Sequence, residues 1–102
     1  MQLVLAGEMI TAQEAFRIGL VNEVTAPADL IPRAEAIAQK IIANAPLAVQ
    51  FAMEAVNKGM EMNLAEGLYL EATLFGVCCA TDDKKEGTVA FLEKRPTQFK
   101  GR

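Results

Sequence analysis

The residues of this chain that could do acid–base chemistry are mostly carboxylates. The sequence contains no His, which removes the commonest general base and metal ligand near neutral pH. Glu66, paired with Glu61 or Glu71, could act as a general acid and base. Nothing in the sequence sets the separation of these carboxylates. Because Glu66 follows Asn63 by three residues, the spacing favours a helix cap instead.

Two adjacent pairs of residues could bind a metal or carry a nucleophile. Asp82 and Asp83 are potential cation ligands, but a solvated helix start, where acids suit the helix dipole, explains them better. Cys78 and Cys79 lie in an apolar run, and neighbouring cysteines do not normally bridge, because their Cβ vectors diverge. They are predicted to be small core residues. No metal site is predicted.

Basic residues gather near the end of the chain. They are Lys94, Arg95, Lys100 and Arg102. One interpretation is a helix C-terminus followed by a solvated tail. The other is contact with a phosphate-bearing ligand, which lysine and arginine recognise through charge-assisted hydrogen bonds.

The elements that position these residues are predicted to be helices. Apolar spacing of three and four residues, with caps and glycines, predicts five helices and almost no sheet, an all-α bundle within 102 residues. A last helical turn at 1–6 should end at Gly7, and 21–24 should form a short strand or extended link. Gly19 and Gly59 should end helices. The five helices are predicted to begin near Thr11, Asp29, Pro46, Asn63 and Thr81.

The segment from Leu64 to Ala80 is apolar nearly all round. A helix that is apolar on every side must be covered on every side. One chain this small cannot supply that cover, so another domain or another subunit is expected to do so.

Composition excludes several classes of partner. The net charge of −3 argues against nucleic acid, which usually needs a basic face. No run reaches about 18 apolar residues, so no membrane span is expected. With two thiols and no disulfide framework, a reducing, cytoplasmic location is predicted.

Short motifs along the whole chain carry a family resemblance. In order, they are Leu5–Gly7, Ile10–Ala15, Gly19–Val24, Ala80–Gly87, Ala90–Arg95 and Phe99–Gly101. This series resembles the C-terminal part of an enoyl-CoA hydratase of the crotonase superfamily.

The resemblance implies where the chemistry is located. Such enzymes hydrate a 2-enoyl-CoA to a 3-hydroxyacyl-CoA with two glutamates and an oxyanion hole of two backbone N–H groups. In the family pattern these parts lie on a β-spiral core upstream of Met1. Accordingly, this chain is expected to lack that core, to contain no catalytic residue, and to begin at an internal position. The only coenzyme expected is the CoA carried by the substrate.

The resemblance also implies a division by role and a ligand contact. Residues 1–28 would form the end of a helix, a short helix and an extended link, and 29–102 a region that builds a trimer or hexamer and covers the acyl-CoA site. Phe75 and Lys94 match positions that contact the CoA of a neighbouring subunit. An aromatic ring can pack on adenine, and an ammonium can meet a phosphate.

Two alternatives stay open. The chain could be a stand-alone helical self-association module without a ligand. It could also belong to another crotonase-type enzyme, such as an enoyl-CoA isomerase or a CoA-ester hydrolase, because the discriminating carboxylates lie elsewhere.

Overall fold

The computed structural model describes all 102 residues, and they form helices without a strand. The predicted all-α class is confirmed, with six α-helices because the first turn is a helix of its own. Residues 21–24 form a link and not a strand, since no second strand is present to pair with them. The helices are α1 (Gln2–Ala6), α2 (Ala12–Arg17), α3 (Leu30–Ile42), α4 (Pro46–Gly59), α5 (Leu64–Cys79) and α6 (Asp82–Glu93).

The chain divides into two compact units, Met1–Glu35 and Ala36–Arg102. The division by role at residue 28 stays a prediction. In the first unit, α1 ends at Gly7, which adopts the left-handed conformation with φ of 64°. That conformation favours glycine because it has no Cβ, so the predicted stop is confirmed.

Helix α2 shows how local sequence sets its own ends. The Thr11 hydroxyl accepts from the Glu14 backbone N–H at 3.1 Å. The Glu14 carboxylate does not reach back to complete a capping box, because it accepts from Arg17 at 2.7 and 2.6 Å. At the other end Gly19 has φ of 76°, and the Leu20 N–H donates to the Ala15 carbonyl at 2.8 Å. These bonds form the Schellman motif that terminates α2.

The link to α3 is held by an ion pair. Arg33 binds both carboxylate oxygens of Glu23, with 2.6 Å between Nε and Oε2. Asp29 lies in a short 3-10 turn, Pro27–Asp29, that runs directly into α3. The predicted helix therefore begins one residue after Asp29, which is the last residue of that turn.

In the second unit, α4 and α5 form an antiparallel hairpin with the most extensive helix–helix contact of the chain. Helix α4 ends at Gly59 as predicted, but Gly59 does not adopt the left-handed conformation: it is the last helical residue and its φ is not positive. Gly59 instead lies against Gly67, where an added Cβ would be 3.7 Å from the Gly59 Cα. The two helices of the hairpin are thus in ordinary van der Waals contact at Gly67, and Gly59 has open space where a Cβ would be.

Polar side chains cap the starts of α5 and α6. Asn63 Oδ1 accepts from the Glu66 N–H at 3.0 Å, which confirms the predicted start of α5. Thr81 Oγ1 accepts from the Lys84 N–H at 3.1 Å and donates to the Cys78 carbonyl at 2.8 Å. This hydroxyl therefore makes hydrogen bonds to both of the helices that meet at the 75° bend, α5 and α6.

No single helix is long and apolar enough to cross a membrane, and only α5 and α6 taken together as a bent pair meet that test, by length and composition alone.

The chain buries very little of itself. Only Ala15, Ala90 and Asp83 are buried, and the exposed surface is 8481 Å², against about 5,600 Å² expected for a compact protein of this mass. Helix α5 has no buried residue. The predicted core role of the cysteines is wrong for this chain, because Cys78 is half-buried and Cys79 exposed. Large apolar side chains therefore lack the cover that the sequence predicts they need.

We expect the isolated 102-residue chain to self-associate, because α5 exposes large apolar side chains such as Leu64, Leu68 and Phe75. Static light scattering should give a mass that rises with concentration. A chain with Leu64→Lys and Leu68→Lys should associate less, whereas Lys84→Arg, an exposed charge-preserving control, should not change the mass. A compact monomer at high concentration would contradict the expectation.

Candidate functional site

Lys94 occupies an unusual backbone position at the end of α6. It has φ of 54° and ψ of 38°, and it is the one non-glycine residue with positive φ. The Arg95 N–H donates to the Ala90 carbonyl at 3.0 Å, and the Lys94 N–H to the Phe91 carbonyl at 3.3 Å. This is a Schellman motif with lysine where glycine is usual. The left-handed conformation costs a residue with a Cβ on the order of 1 kcal/mol.

The next residue, Arg95, is held by carboxylates. Its guanidinium donates to both oxygens of Glu86 at 2.6 and 2.9 Å, and its Nε to Glu93 at 2.7 Å. Lys94 is exposed and takes part in no ion pair of the chain. Of these two adjacent cations, one is neutralised within the fold and one is available.

The Glu86–Arg95 pair shifts the titration of both groups. The hydrogen bonds from Arg95, and then that from the Gln98 N–H at 2.8 Å, lower the pKa of Glu86 from 4.5 to about 2. The same pairing with Glu86, together with Glu93, raises the pKa of Arg95. Glu86 therefore stays ionised at any pH near neutral, and the pair persists.

Asp83 anchors the end of the chain. It is 2% exposed, and its carboxylate accepts from the Lys100 N–H at 2.6 Å and the Gly101 N–H at 2.7 Å. Its own N–H, left unpaired by the helix, donates to the Arg102 carbonyl at 3.1 Å. The expectation of a solvated helix start is wrong for Asp83 because the tail covers it, but Asp82 fits that expectation with a side chain 64% exposed.

The tail from Pro96 to Arg102 is thus a hydrogen-bonded strap across α6, although its residues other than Phe99 and Gly101 are exposed. Beyond the Asp83 contacts, the Phe99 ring lies against Gly87, where an added Cβ would be 3.4 Å from Cε1. Gly101, with φ of 73°, lies beside Pro46. The strap therefore fastens α6 to the start of α4. Two of the four basic residues are paired with carboxylates of α6: Arg95 with Glu86, and Arg102, whose Nε lies 3.8 Å from Asp82 Oδ2.

Phe75 lies on α5 and is 71% exposed. Phe75 and Lys94 belong to separate elements, since Lys94 ends α6. Phe91 is 82% exposed and lies one turn before Lys94 at the end of α6. Its spacing of three residues from Lys94 is the signal that could have indicated an aromatic beside the cation.

Comparison with known proteins assigns a family. The profile of the enoyl-CoA hydratase/isomerase family matches residues 1–102. A crotonyl-CoA hydratase from Syntrophomonas wolfei is 46% identical over 98 residues, covering 96% of this chain and 38% of the relative. A short-chain-enoyl-CoA hydratase from Clostridium acetobutylicum is 44% identical over 102 residues, covering 99% of this chain and 39% of the relative.

Solved structures agree with the sequence comparison. The crystal structure of an enoyl-CoA hydratase from Mycobacterium marinum superposes with a TM-score of 0.92 at 32% identity, covering 100% of this chain and 40% of that chain. The chain therefore belongs to the enoyl-CoA hydratase/isomerase family. It spans about two fifths of the length of these relatives, which agrees with the C-terminal helical region that its motifs predict.

We expect Asp83→Ala to release the strap, because it removes the carboxylate that accepts from the Lys100 and Gly101 N–H groups in partly buried hydrogen bonds. The cost should be about 3 kcal/mol. Hydrogen–deuterium exchange of these two amides should accelerate by roughly two orders of magnitude. Asp82→Ala, at the exposed neighbour, should leave their exchange near that of the unchanged chain; equal effects of the two variants would refute the assignment.

We expect Glu86 to contribute acid-dependent stability. Its pKa in the fold, about 2, is below its ordinary 4.5, so its contribution is complete above 4.5 and disappears as pH falls toward 2. Thermal melts across this range should fall less steeply for Glu86→Gln than for the unchanged chain. Glu54→Gln, which removes the partner of Lys58 on α4, serves as the matched control. Parallel pH profiles for the unchanged chain and Glu86→Gln would disprove this role.

Proposed function

We propose that the complete protein containing this chain hydrates a 2-enoyl-CoA to a 3-hydroxyacyl-CoA. Within it, this helical region associates with neighbouring subunits in a trimer or hexamer and covers the acyl-CoA site. Membership of the enoyl-CoA hydratase/isomerase family supports the reaction class. The catalytic carboxylates and oxyanion hole would lie outside these 102 residues, so this chain alone would be inactive. The coenzyme would arrive on the substrate, and the protein would need no cofactor of its own.

The observation that carries the role of this region is its uncovered apolar surface. Twenty-six large hydrophobic side chains are exposed, and the only buried apolar residues are Ala15 and Ala90. A surface this apolar marks an interface, because monomeric proteins rarely expose contiguous apolar patches of more than a few hundred Å². The greater length of the relatives supports a core as part of what covers it, and we propose that neighbouring copies cover the rest.

The proposed contact with the substrate is made by Phe75 and Lys94 toward the CoA of a neighbouring subunit. The exposure of both side chains supports it, since a residue that meets a ligand across an interface must be free of its own chain. Lys94 would act as a point charge toward a CoA phosphate, and Phe75 as a surface for adenine.

The compartment is proposed from the cysteines. Cys78 and Cys79 are both free thiols. Free thiols are typical of a reducing compartment, for which we propose the cytoplasm.

We expect the complete protein to consume crotonyl-CoA, and the reaction can be measured as loss of the absorbance of the conjugated thioester. The isolated chain should show no turnover above buffer. Turnover by the isolated chain would refute the assignment of catalysis to the rest of the protein. Isomerisation of a 3-enoyl-CoA without hydration would identify an isomerase, and release of free CoA thiol a hydrolase. A stable oligomer with none of these activities would support a self-association module instead.

We expect Lys94→Ala to raise the KM for crotonyl-CoA about fivefold at low salt, with kcat unchanged, because it removes an exposed charge contact. The effect should shrink as salt screens that contact. Lys84→Ala removes an equally exposed lysine of α6 and is the control. Phe75→Ala should also raise KM, with Tyr69→Ala as its control on α5. An unchanged KM and salt dependence would exclude Lys94 from the site.

A further inference from the structure

We propose that Glu86 is a positioning residue for Lys94. It holds Arg95 against α6 and thereby maintains the left-handed turn that places the Lys94 ammonium toward the ligand. This inference rests on the proposed contact between Lys94 and CoA, and it adds a residue with no contact to the ligand itself.

The first support is the backbone of Lys94. A non-glycine residue in the left-handed region persists when the surrounding structure determines it, and such strain concentrates at functional sites. Glycine would close α6 with the same two hydrogen bonds and without strain. At Lys94 the chain instead combines the strained turn with an ammonium that has no partner in the chain.

The second support is that one carboxylate of α6 holds two points of the chain that follows the turn. Glu86 Oε1 accepts from Arg95 Nη1 at 2.6 Å and from the Gln98 N–H at 2.8 Å, while Oε2 accepts from Arg95 Nη2 at 2.9 Å. Residues one and four positions after Lys94 are therefore fixed to α6. The paired geometry of guanidinium and carboxylate sets orientation as well as distance.

The third support is the burial of the atoms that hold this turn against α6. Ala90, whose carbonyl accepts the Arg95 N–H at 3.0 Å, is 0% exposed. The Glu86 side chain is 23% exposed and its neighbour Gly87 lies under the Phe99 ring. Lys94 thus projects from a turn whose flanking atoms are held, and the entropy of ordering it on binding is reduced.

The test is a double-mutant cycle in the complete protein with Glu86→Gln, Lys94→Ala and the double variant. Glu86→Gln should raise the KM for crotonyl-CoA about threefold with kcat unchanged, less than the loss caused by Lys94→Ala. In the Lys94→Ala background it should have no further effect, because both substitutions remove the same contact. With crotonyl-N-acetylcysteamine, which lacks the nucleotide, neither substitution should change KM.

The controls separate positioning from general destabilisation. Glu54→Gln, which breaks a helical ion pair on α4, should leave both substrates unaffected. If Glu86→Gln does not fold, Arg95→Lys keeps the charge but loses the paired geometry, and it should show the same KM effect. A loss of kcat, or an equal effect on the truncated thioester, would overturn the positioning role.

The outcomes also distinguish this inference from the function it rests on. Additive effects of Glu86→Gln and Lys94→Ala would overturn the positioning role and leave the Lys94 contact intact. If Lys94→Ala has no effect on crotonyl-CoA while the protein still hydrates it, the CoA contact fails, and the inference about Glu86 fails with it.

Discussion

The carboxylate of Asp83 is the single charged group that this chain buries, and the arrangement of its C-terminal quarter depends on it. A buried charge is tolerated when hydrogen bonds replace the lost water. Here the donors are the backbone N–H groups of Lys100 and Gly101, so the strap must return across the start of α6. With the strap in place, Glu86 can receive the Gln98 N–H and Arg95 together.

This order of dependence explains which features of the chain could be predicted from sequence. Thr11, Asn63 and Thr81 begin helices as their types and spacing indicate, because each bond spans three residues. The Asp83 contacts span 17 and 18 residues, and no local pattern encodes them. For the same reason, periodicity could not show that Gly59 contacts Gly67.

The candidate site residues also differ in how far they could be predicted from the sequence. Phe75 and Lys94 were found through a family resemblance, since an aromatic in an apolar helix and a lysine at a helix end carry no signal of their own. The left-handed backbone of Lys94 is visible only in the structure, because a helix stop is predicted from glycine and not from lysine. The excess of apolar residues in α5, by contrast, was readable directly from composition, and the structure leaves those residues exposed.

Asp83 holds the strap through main-chain atoms, which constrains how this segment can change in evolution. Asp83 binds two amides and pairs with a carbonyl, none of which depends on the side chains of Lys100 or Arg102. Side chains there can vary without loosening the fastening. The number of residues between Arg95 and Lys100 cannot vary, since one insertion or deletion would move both amides off the carboxylate. The strap is therefore constrained in length, and in sequence at Phe99 and Gly101.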